Sequence, residues 1–356
     1  MDEPLKPLRE AIDRIDSQLL ELLNERARLA HDVGQVKSTS GTPVYRPERE
    51  AEVLRKVVAG NPGPLSEQGV TAVFREVMSA CRALEQPTRV GYLGPAGTFS
   101  EAALLKQFGA SVDGEPCASI DDVFRSCEAG STEFGLVPVE NSTEGSVTRT
   151  MDLLLASPLR IVAEVSLQVH HSLLTKSGTV DGIRSVCAHA QALAQCVGWL
   201  NRHHPALERR AVSSNAEAAR LASVDPSVGA IAGELAAQRY QLQAVATHIQ
   251  DDPANRTRFL VLGRQETAST GRDKTSLILS VPNRAGAVYH MLAPLARHGV
   301  SMARFESRPA KLGSWEYYFY VDIEGHERDP AVIAALDELR GLCAFFKSLG
   351  SYPAAN

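Results

Sequence analysis

From Leu5 onward, apolar residues fall at Leu5, Leu8, Ile12, Ile15, Leu19, Leu22, Leu29, Val33 and Val36, mostly in alternating steps of three and four. This is the seam of a long heptad-type helix. The seam slot between Leu22 and Leu29 holds Arg26 instead of leucine. A guanidinium on an apolar seam must find anions or destabilise the helix. The neighbouring column, seven residues apart, reads Arg9, Asp16, Leu23, Ala30 and Lys37, so it begins and ends with a cation. At 1.5 Å per residue, Arg26 and Lys37 lie roughly 16 Å apart and Arg9 and Arg26 roughly 26 Å apart. One small dianion cannot span all three on one helix, but a second chain could supply the arginine. The helix is expected to fray by Gly41 and Pro43. A second helix starts at Pro47, carries Glu48, Arg49, Glu50, Leu54 and Val57, and stops at the Gly60-Asn61-Pro62-Gly63-Pro64 run; a third spans about Ser66 to Glu85.

After Gln86-Pro87-Thr88 the pattern changes to short apolar runs alternating with capped helices, an α/β signature. The loop Gly94 to Glu101 joins the strand of Arg89 to Leu93 to a helix, with Thr98 and Glu101 spaced as a capping box. Its free backbone N–H groups suit a carboxylate. The glycines at 91, 94 and 97 give GxxGxxG, which is not a dinucleotide fingerprint. Ser119 with Asp122 opens a further helix. The apolar run Phe134 to Val139 then leads into Pro138 to Val147, where Glu140 and Asn141 reach a sheet's carboxyl edge, a common ligand position in open α/β sheets. The same residues also read as a plain capped turn, because Glu144 follows Asn141 by three. Val186 to Cys196 passes from strand to helix, Ser214 and Glu217 form another cap, and Ala230 to Glu234 feeds a helix to Tyr240. Asn255 to Leu262 is a polar turn entering a buried strand. Arg264 to Asp273 is polar and turn-rich, a linker. Beyond it come strand Thr275 to Val281, helix Gly286 to His298, strands Val300 to Ser307 and Trp315 to Ile323, helix Pro330 to Leu342 and strand Cys343 to Leu349. That order is a ferredoxin-like βαββαβ plan.

Composition narrows the function. The net charge of -5, with no dense Lys/Arg block, argues against a nucleic-acid surface. No apolar run reaches the roughly 18 residues that span a bilayer, and the start lacks a basic-then-apolar segment. A cytoplasmic protein without membrane partners is expected. The six cysteines are scattered without a CxxC pair and read as free thiols. Cys187, His189, Cys196 and His203 match no tight chelate, so neither metal nor cofactor is expected.

Leu8-Arg9-Glu10-Ala11-Ile12-Asp13, Glu25-Arg26, Val33-Gly34-Gln35-Val36-Lys37 and Tyr45-Arg46-Pro47-Glu48-Arg49-Glu50 resemble the all-helical chorismate mutases. The resemblance implies a homodimer with shared sites. Arg9 would come from the partner, Arg26 and Lys37 would hold the carboxylates and ether oxygen of chorismate, and Glu50 would take a hydroxyl. Arg49, Cys81 and Glu85 would complete the site, with Lys37 and Glu85 catalytic. A pericyclic rearrangement needs only a folded conformer and stabilised charge on the breaking ether. Arg46 stands where some members have an acid, and Glu85 where some have glutamine. A carboxylate would repel the ether oxygen, so Glu85 is expected to be protonated and the mutase to favour mildly acid pH.

Residues 89 to 264 resemble prephenate dehydratase, which implies two α/β lobes, like a periplasmic binding protein, around a cleft. Thr257 would stand at the departing hydroxyl, and Glu140 and Asn141 would also be catalytic. Thr98, Ser100, Ser142, Gln191 and Gln195 would bind prephenate. Arg258 would serve the anion or brace its strand. Ala188 and Asn215 replace hydroxyl residues common in the family, and His189 reads as a structural histidine more than a base. Asn283-Arg284-Ala285-Gly286-Ala287-Val288 and Glu306-Ser307-Arg308-Pro309 resemble the ACT domain. That implies phenylalanine held between two chains by Asn283, Gly286, Ala287, Val288, Glu306, Ser307 and Arg308, although Ala285 replaces the usual proline.

The expectation is therefore a multidomain chain: an all-α mutase domain (1–87), a two-lobed α/β dehydratase domain (88–265) and an α+β ferredoxin-like ACT domain (273–356). It would convert chorismate to prephenate and then to phenylpyruvate under phenylalanine inhibition. Two rivals stand beside it: a non-catalytic metabolite sensor, and a fusion of mutase with prephenate dehydrogenase, which the missing dinucleotide fingerprint disfavours.

Overall fold

The computed structural model describes residues 5–40, 43–282, 284–310 and 317–355; Gly41, Asn283 and Trp315 lie outside them. The chain forms two compact units, Met1–Thr88 with Phe108–Asp113, and Arg89–Gln107 with Gly114–Asn356.

The first unit is helical: α1 (Lys6–Ser40), α2 (Pro47–Ala59) and α3 (Glu67–Glu85). Pro47 occupies the first turn of α2, where a missing N–H costs nothing. Ser66 caps α3 by accepting from the Gly69 N–H at 3.1 Å. Gly34 has no side chain to keep α3 away: a Cβ there would sit 2.9 Å from Glu85 Cγ. The apolar seam of α1 is exposed along its length, from Leu8 at 62% to Val36 at 68%.

The second unit opens with β1 (Arg89–Leu93), α4 (Phe99–Phe108), β2 (Asp113–Cys117), α5 (Ile120–Ala129), β3 (Phe134–Asn141), β4 (Gly145–Ser146), α6 (Thr148–Ala156) and β5 (Arg160–Gln168). A second lobe follows: β6 (Ser172–Thr175), β7 (Ser185–His189), α7 (Ala190–Gln195), α8 (Val197–His203), β8 (Glu208–Val212), α9 (Asn215–Val224), β9 (Val228–Ala232), α10 (Glu234–Tyr240) and β10 (Gln243–Ala246). The chain then returns to the first lobe as β11 (Arg256–Gly263), antiparallel to both β3 and β5. The first sheet is ordered β2-β1-β3-β11-β5 and the second β10-β6-β9-β7-β8. This return brings the start of β11 beside the end of β3, pairing Thr257 with Asn141. Two strands of the first sheet, distant in sequence, thereby deliver their polar ends to one edge.

The last part is β12 (Asp273–Ser280), α11 (Ala287–Arg297), β13 (Met302–Pro309), β14 (Tyr317–Glu324), α12 (Pro330–Leu342) and β15 (Phe345–Pro353), with sheet order β13-β14-β12-β15. This is the expected ferredoxin-like order. Alternate residues of its strands serve two cores. Leu277, Leu279, Phe319 and Val321 pack with Leu295 and Leu336 of the helices. Ile278, Tyr320 and Tyr352 join Phe124, Met151, Ile161 and Leu260 of the first lobe in one cluster. The segment before β12 is correspondingly pinned: Thr267 donates to the Ser351 carbonyl, and Asp273 accepts from the Thr270 N–H at 2.7 Å and the Gly271 N–H at 3.0 Å.

A hairpin stands where a helix start was one possible reading after Asn141. Its side chain does receive the Thr143 and Glu144 N–H groups, but the chain turns back as β4, and α6 begins only at Thr148.

Candidate active sites

In the helical unit the polar side chains converge where α1, α2 and α3 meet. Lys37 Nζ donates to Glu85 Oε2 at 3.0 Å and to the Val44 carbonyl at 3.3 Å. Glu50 accepts from Arg82, which also donates to the Phe108 carbonyl at 2.6 Å. The Arg82 guanidinium lies 5.1 Å from the Tyr45 ring centroid and 5.8 Å from that of Phe108, a desolvated cation held by aromatic faces. Burial pushes the Glu50 carboxyl up, while Arg82, Arg75 and Arg26 pull it down. Arg26 thus acts on the same region as Glu50. Cys81 is buried on α3. Arg49 points elsewhere, to Glu52 Oε2 at 2.6 Å on an exposed face. Arg9 belongs to the unbroken α1 and cannot fold back to Arg26. Sequence reasoning missed Arg82; its place four residues after Met78, on the buried face of α3, was the available signal.

In the second unit a cavity of about 470 Å³ is lined from the first lobe by Thr98, Ser100, Pro138, Asn141, Thr257 and Phe259, and from the second by His171, His189, Gln191, Gln195, Ser214 and Asn215. No lysine or arginine is among the described residues lining it. Helix starts supply the positive ends instead: Thr98 and Ser100 begin α4, and Ser214 caps α9 through the Glu217 N–H at 3.0 Å. Such N-termini favour a carboxylate. Gly97, with φ of +90° against the Tyr240 ring, permits the turn into α4, and its N–H donates to Glu101 Oε2 at 2.5 Å.

Asn141 Nδ2 donates to Thr257 Oγ1 at 2.8 Å. His189 accepts from the Gln191 N–H at 3.4 Å and its own N–H donates to Asn215 at 2.9 Å, the capping role expected of a structural histidine. Asn215, a departure from the family pattern, is thereby part of the wall. Ser142 holds the Arg256 N–H at 3.0 Å.

Three expectations need correcting. Glu140 does not line the cavity; it lies 3.2 Å from Arg304 of β13, on the opposite side of its strand from Asn141. Arg258 is likewise turned from the cavity. It binds Glu164 at 2.7 Å, Asp322 at 2.6 Å and the Tyr352 hydroxyl at 2.9 Å, so of its two suggested roles the bracing one fits. Strand alternation explains both, since Asn141 and Thr257 take the cleft face and their neighbours take the other. Finally, Glu306 bonds Ser146 and Arg304, and Arg308 bonds the Thr148 carbonyl at 3.1 Å and Asp152 at 3.3 Å. These two side chains face the first lobe. Ser307 is level with Leu279 across β14, roughly 9.5 Å away by two strand spacings, towards the end of the sheet where the loop to Gly286, Ala287 and Val288 begins. Asn283 lies outside the described residues.

Among the described residues no group of three or more His, Cys, Asp or Glu is placed to hold a metal ion, and no helix is long and apolar enough to cross a membrane. The described cysteines are free thiols, and burial pushes that of Cys196 up to about 12.

The sequence matches the family of chorismate mutase type II over residues 8–86, of prephenate dehydratase over 90–267 and of the ACT domain over 275–341. It is 53% identical over 358 residues to a bifunctional chorismate mutase/prephenate dehydratase of Neisseria gonorrhoeae, covering all of this chain and 98% of the relative. The solved prephenate dehydratase of Arthrobacter aurescens in complex with L-Phe is 34% identical, with a TM-score of 0.70 over 75% of this chain and 90% of that one. A protein described as a quorum quenching acylase, GqqA, is 30% identical with a TM-score of 0.68, covering 75% of this chain and 98% of that one. One fold thus carries differently described activities, and the chemistry has to be argued from the site.

Proposed function

The chain belongs to the bifunctional chorismate mutase/prephenate dehydratase family and carries both enzyme activities, and from this we propose which residues act and that phenylalanine inhibits. The observation that carries the dehydratase reading is Thr257 in the cleft with its oxygen already accepting from Asn141. In prephenate the bond to the ring carboxylate breaks, its electron pair enters the ring and carbon dioxide departs. The ring C–O bond breaks on the other side, and the leaving hydroxide takes a proton that comes ultimately from solvent to become water. Thr257 donates the hydrogen bond that eases the departing oxygen. Neutral donors and the starts of α4 and α9 hold the side-chain carboxylate, and the apolar wall of Pro138 and Phe259 leaves the ring carboxylate poorly solvated. Thr257→Val is expected to lower dehydratase kcat by about a thousandfold, with mutase turnover unchanged. Full turnover in that variant would remove the assignment.

For the mutase, Arg26 and Lys37 hold chorismate with Glu50, and the partner subunit's Arg9 completes the site of a homodimer. The exposed α1 seam supports that dimer. Glu85, 3.0 Å from Lys37, faces the ether oxygen. Glu85→Gln, which keeps a polar group beside Lys37, is expected to retain mutase turnover, and Glu85→Ala to lower it by about tenfold; an alanine variant as active as wild type would refute the role. Phenylalanine binding rests on the ACT family match and on the L-Phe complex of the Arthrobacter relative. A chorismate time course, followed for prephenate and phenylpyruvate with and without phenylalanine, tests the whole reading. Both products are expected in sequence, the second suppressed by phenylalanine. Phenylpyruvate production indifferent to phenylalanine would reject the inhibition.

A further inference from the structure

Four amides and hydroxyls at the mouth of the cleft form a closed circuit. Asn141 Nδ2 donates to Asn255 Oδ1 at 2.9 Å, Asn255 Nδ2 to Gln195 Oε1 at 3.0 Å, Gln195 Nε2 to Thr143 Oγ1 at 2.9 Å, and Thr143 Oγ1 to Asn141 Oδ1 at 2.6 Å. All four bonds run the same way round. Amide oxygens and nitrogens look alike, so direction has to come from donors that cannot reverse. Two do not: the backbone N–H groups of Thr143 and Glu144 point at Asn141 Oδ1 from 3.1 and 3.2 Å. Asn141 must then present Nδ2 to Asn255 and Thr257. Asn255 must answer with Oδ1 and turn Nδ2 to Gln195, which answers with Oε1 and turns Nε2 to Thr143.

Two consequences follow at the circuit's edges. Thr257 Oγ1 accepts from Asn141 at 2.8 Å, which leaves its own proton for another acceptor. His171 Nε2 meets Gln195 Oε1 at 3.0 Å, an oxygen that can only accept, so Nε2 must carry the proton. The other ring nitrogen, Nδ1, is buried without a hydrogen-bond partner, as a bare lone pair in an apolar surround can be but an N–H or a cation cannot without heavy cost. The Phe99 ring, edge-on at 5.4 Å, holds the imidazole in place.

We propose that Thr143 and Asn255 are positioning residues of the dehydratase: with Asn141 and Gln195 they form a one-way hydrogen-bond ring that clasps the two lobes and aims the Thr257 hydroxyl proton into the cleft, with His171 fixed as the Nε2–H tautomer. The ring joins the lobes because Gln195 ends α7 of the second lobe, Asn141 and Thr143 belong to the β3–β4 hairpin of the first, and Asn255 stands at the crossing into β11. Cooperative alignment around such a ring strengthens each bond. Gln195 acts in it through Thr143 and Asn255.

The inference deepens the reading of Thr257 as hydrogen-bond donor, and the two can fail separately. Thr143→Val keeps the shape and removes both ring bonds of the hydroxyl; Thr143→Ser keeps the hydroxyl. In the full-length protein the valine variant is expected to lose about tenfold in dehydratase kcat, with KM within about twofold and the serine variant restored. Valine turnover equal to wild type, or serine as low as valine, overturns the ring. Loss of turnover in Thr257→Val alongside an unaffected Thr143→Val would retain the donor and reject the ring, whereas an unaffected Thr257→Val would reject the donor first. Neutron diffraction from crystals of the full chain reads the directions without turnover. Deuterium on His171 Nε2 and a Thr257 deuteron turned from Asn141 are expected; deuterium on Nδ1 alone, or a Thr257 deuteron on Asn141, overturns the proposal even if the valine variant fails to fold.

Discussion

The two catalytic regions of this chain are finished to different degrees. In the dehydratase region Asn141, Thr143, Gln195, Asn255 and Thr257 bond one another within one chain, and its strands bury Val137, Val139, Phe259 and Leu260. In the mutase region a 35-residue helix presents Leu8, Ile12, Ile15, Leu19, Leu22, Leu29 and Val36 to the outside, all more than half exposed or close to it. A contiguous apolar stripe of that length marks an association surface, and heptad spacing suits a helical partner. The contrast teaches that one fold unit can build a site from its own loops, while another leaves a long apolar face on the outside of its single chain.

Of the tests of that contrast, the one with the largest expected effect breaks it directly. Arg9→Ala and Arg26→Ala should each lower mutase turnover by about a hundredfold or more, leaving dehydratase turnover intact. If Arg9 serves the other chain's site, mixing the two inactive variants and allowing exchange places one intact site in each heterodimer. Heterodimers are half the population and one site in two is whole, so about a quarter of wild-type activity should return. Two variants that are dimeric, exchange subunits and show no recovery would place Arg9 outside the shared site.

Much of this was legible from residue order. The seam of α1 with its charged slot, the polar turns at strand ends and the βαββαβ order all sit in local pattern, and α1, α2, α3, α11 and α12 formed near their expected bounds. Asn141 was legible because it ends an apolar run, and Thr257 through the family resemblance of the polar turn that enters β11. What remained hidden depended on which face of a strand meets which neighbour. Glu140 and Arg258 were assigned to the cleft with their neighbours, yet a period of two sends them to the opposite side, where the last sheet offers Arg304, Asp322 and Tyr352. Nothing in the sequence says that this sheet packs there. Thr143, Asn255 and His171 were passed over for a related reason: Thr143 meets Gln195 52 residues away, Asn255 meets Asn141 114 away and His171 meets Gln195 24 away, beyond any local motif.

Arg258 supplies the second prediction, on the self-contained region. Its guanidinium answers two buried carboxylates, Glu164 and Asp322, whose side chains are 1% and 7% exposed. Lys274 also reaches Glu164, at 2.7 Å, so that carboxylate keeps one cation without Arg258. Asp322 keeps the Ser276 hydroxyl at 2.6 Å but no cation among its described ion pairs. Arg258→Met should therefore destabilise the second unit by about 3 kcal/mol, seen as a shift of its urea midpoint, while the mutase activity of the folded helical unit persists. Arg258→Lys should recover only part of the loss, because one ammonium cannot match three acceptors held by a planar fork. A loss under about 1 kcal/mol would mean that the cluster contributes little net stability, as buried ion pairs can.

The smallest effect separates the two regions by pH. In the helical unit burial pushes the Glu50 carboxyl above its ordinary value of 4.5, against the pull of Arg82, Arg75 and Arg26. A raised folded value means that, between 4.5 and that value, the folded helical unit holds a proton that the unfolded chain has released. Its contribution is complete below pH 4.5 and is lost as pH rises through the folded value. A tenfold difference in proton affinity between the folded and unfolded chains is worth about 1.4 kcal/mol, and the opposing arginines offset part of the effect of burial. Urea midpoints of the helical unit, taken at steps from mildly acid to neutral pH, should fall with rising pH more steeply in wild type than in Glu50→Gln. The transition of the second unit should show no such difference between the two proteins. Parallel midpoint curves for the helical unit would mean that the Arg82 pair fully offsets the burial of Glu50, and the carboxyl could then meet the substrate hydroxyl as an ordinary carboxylate.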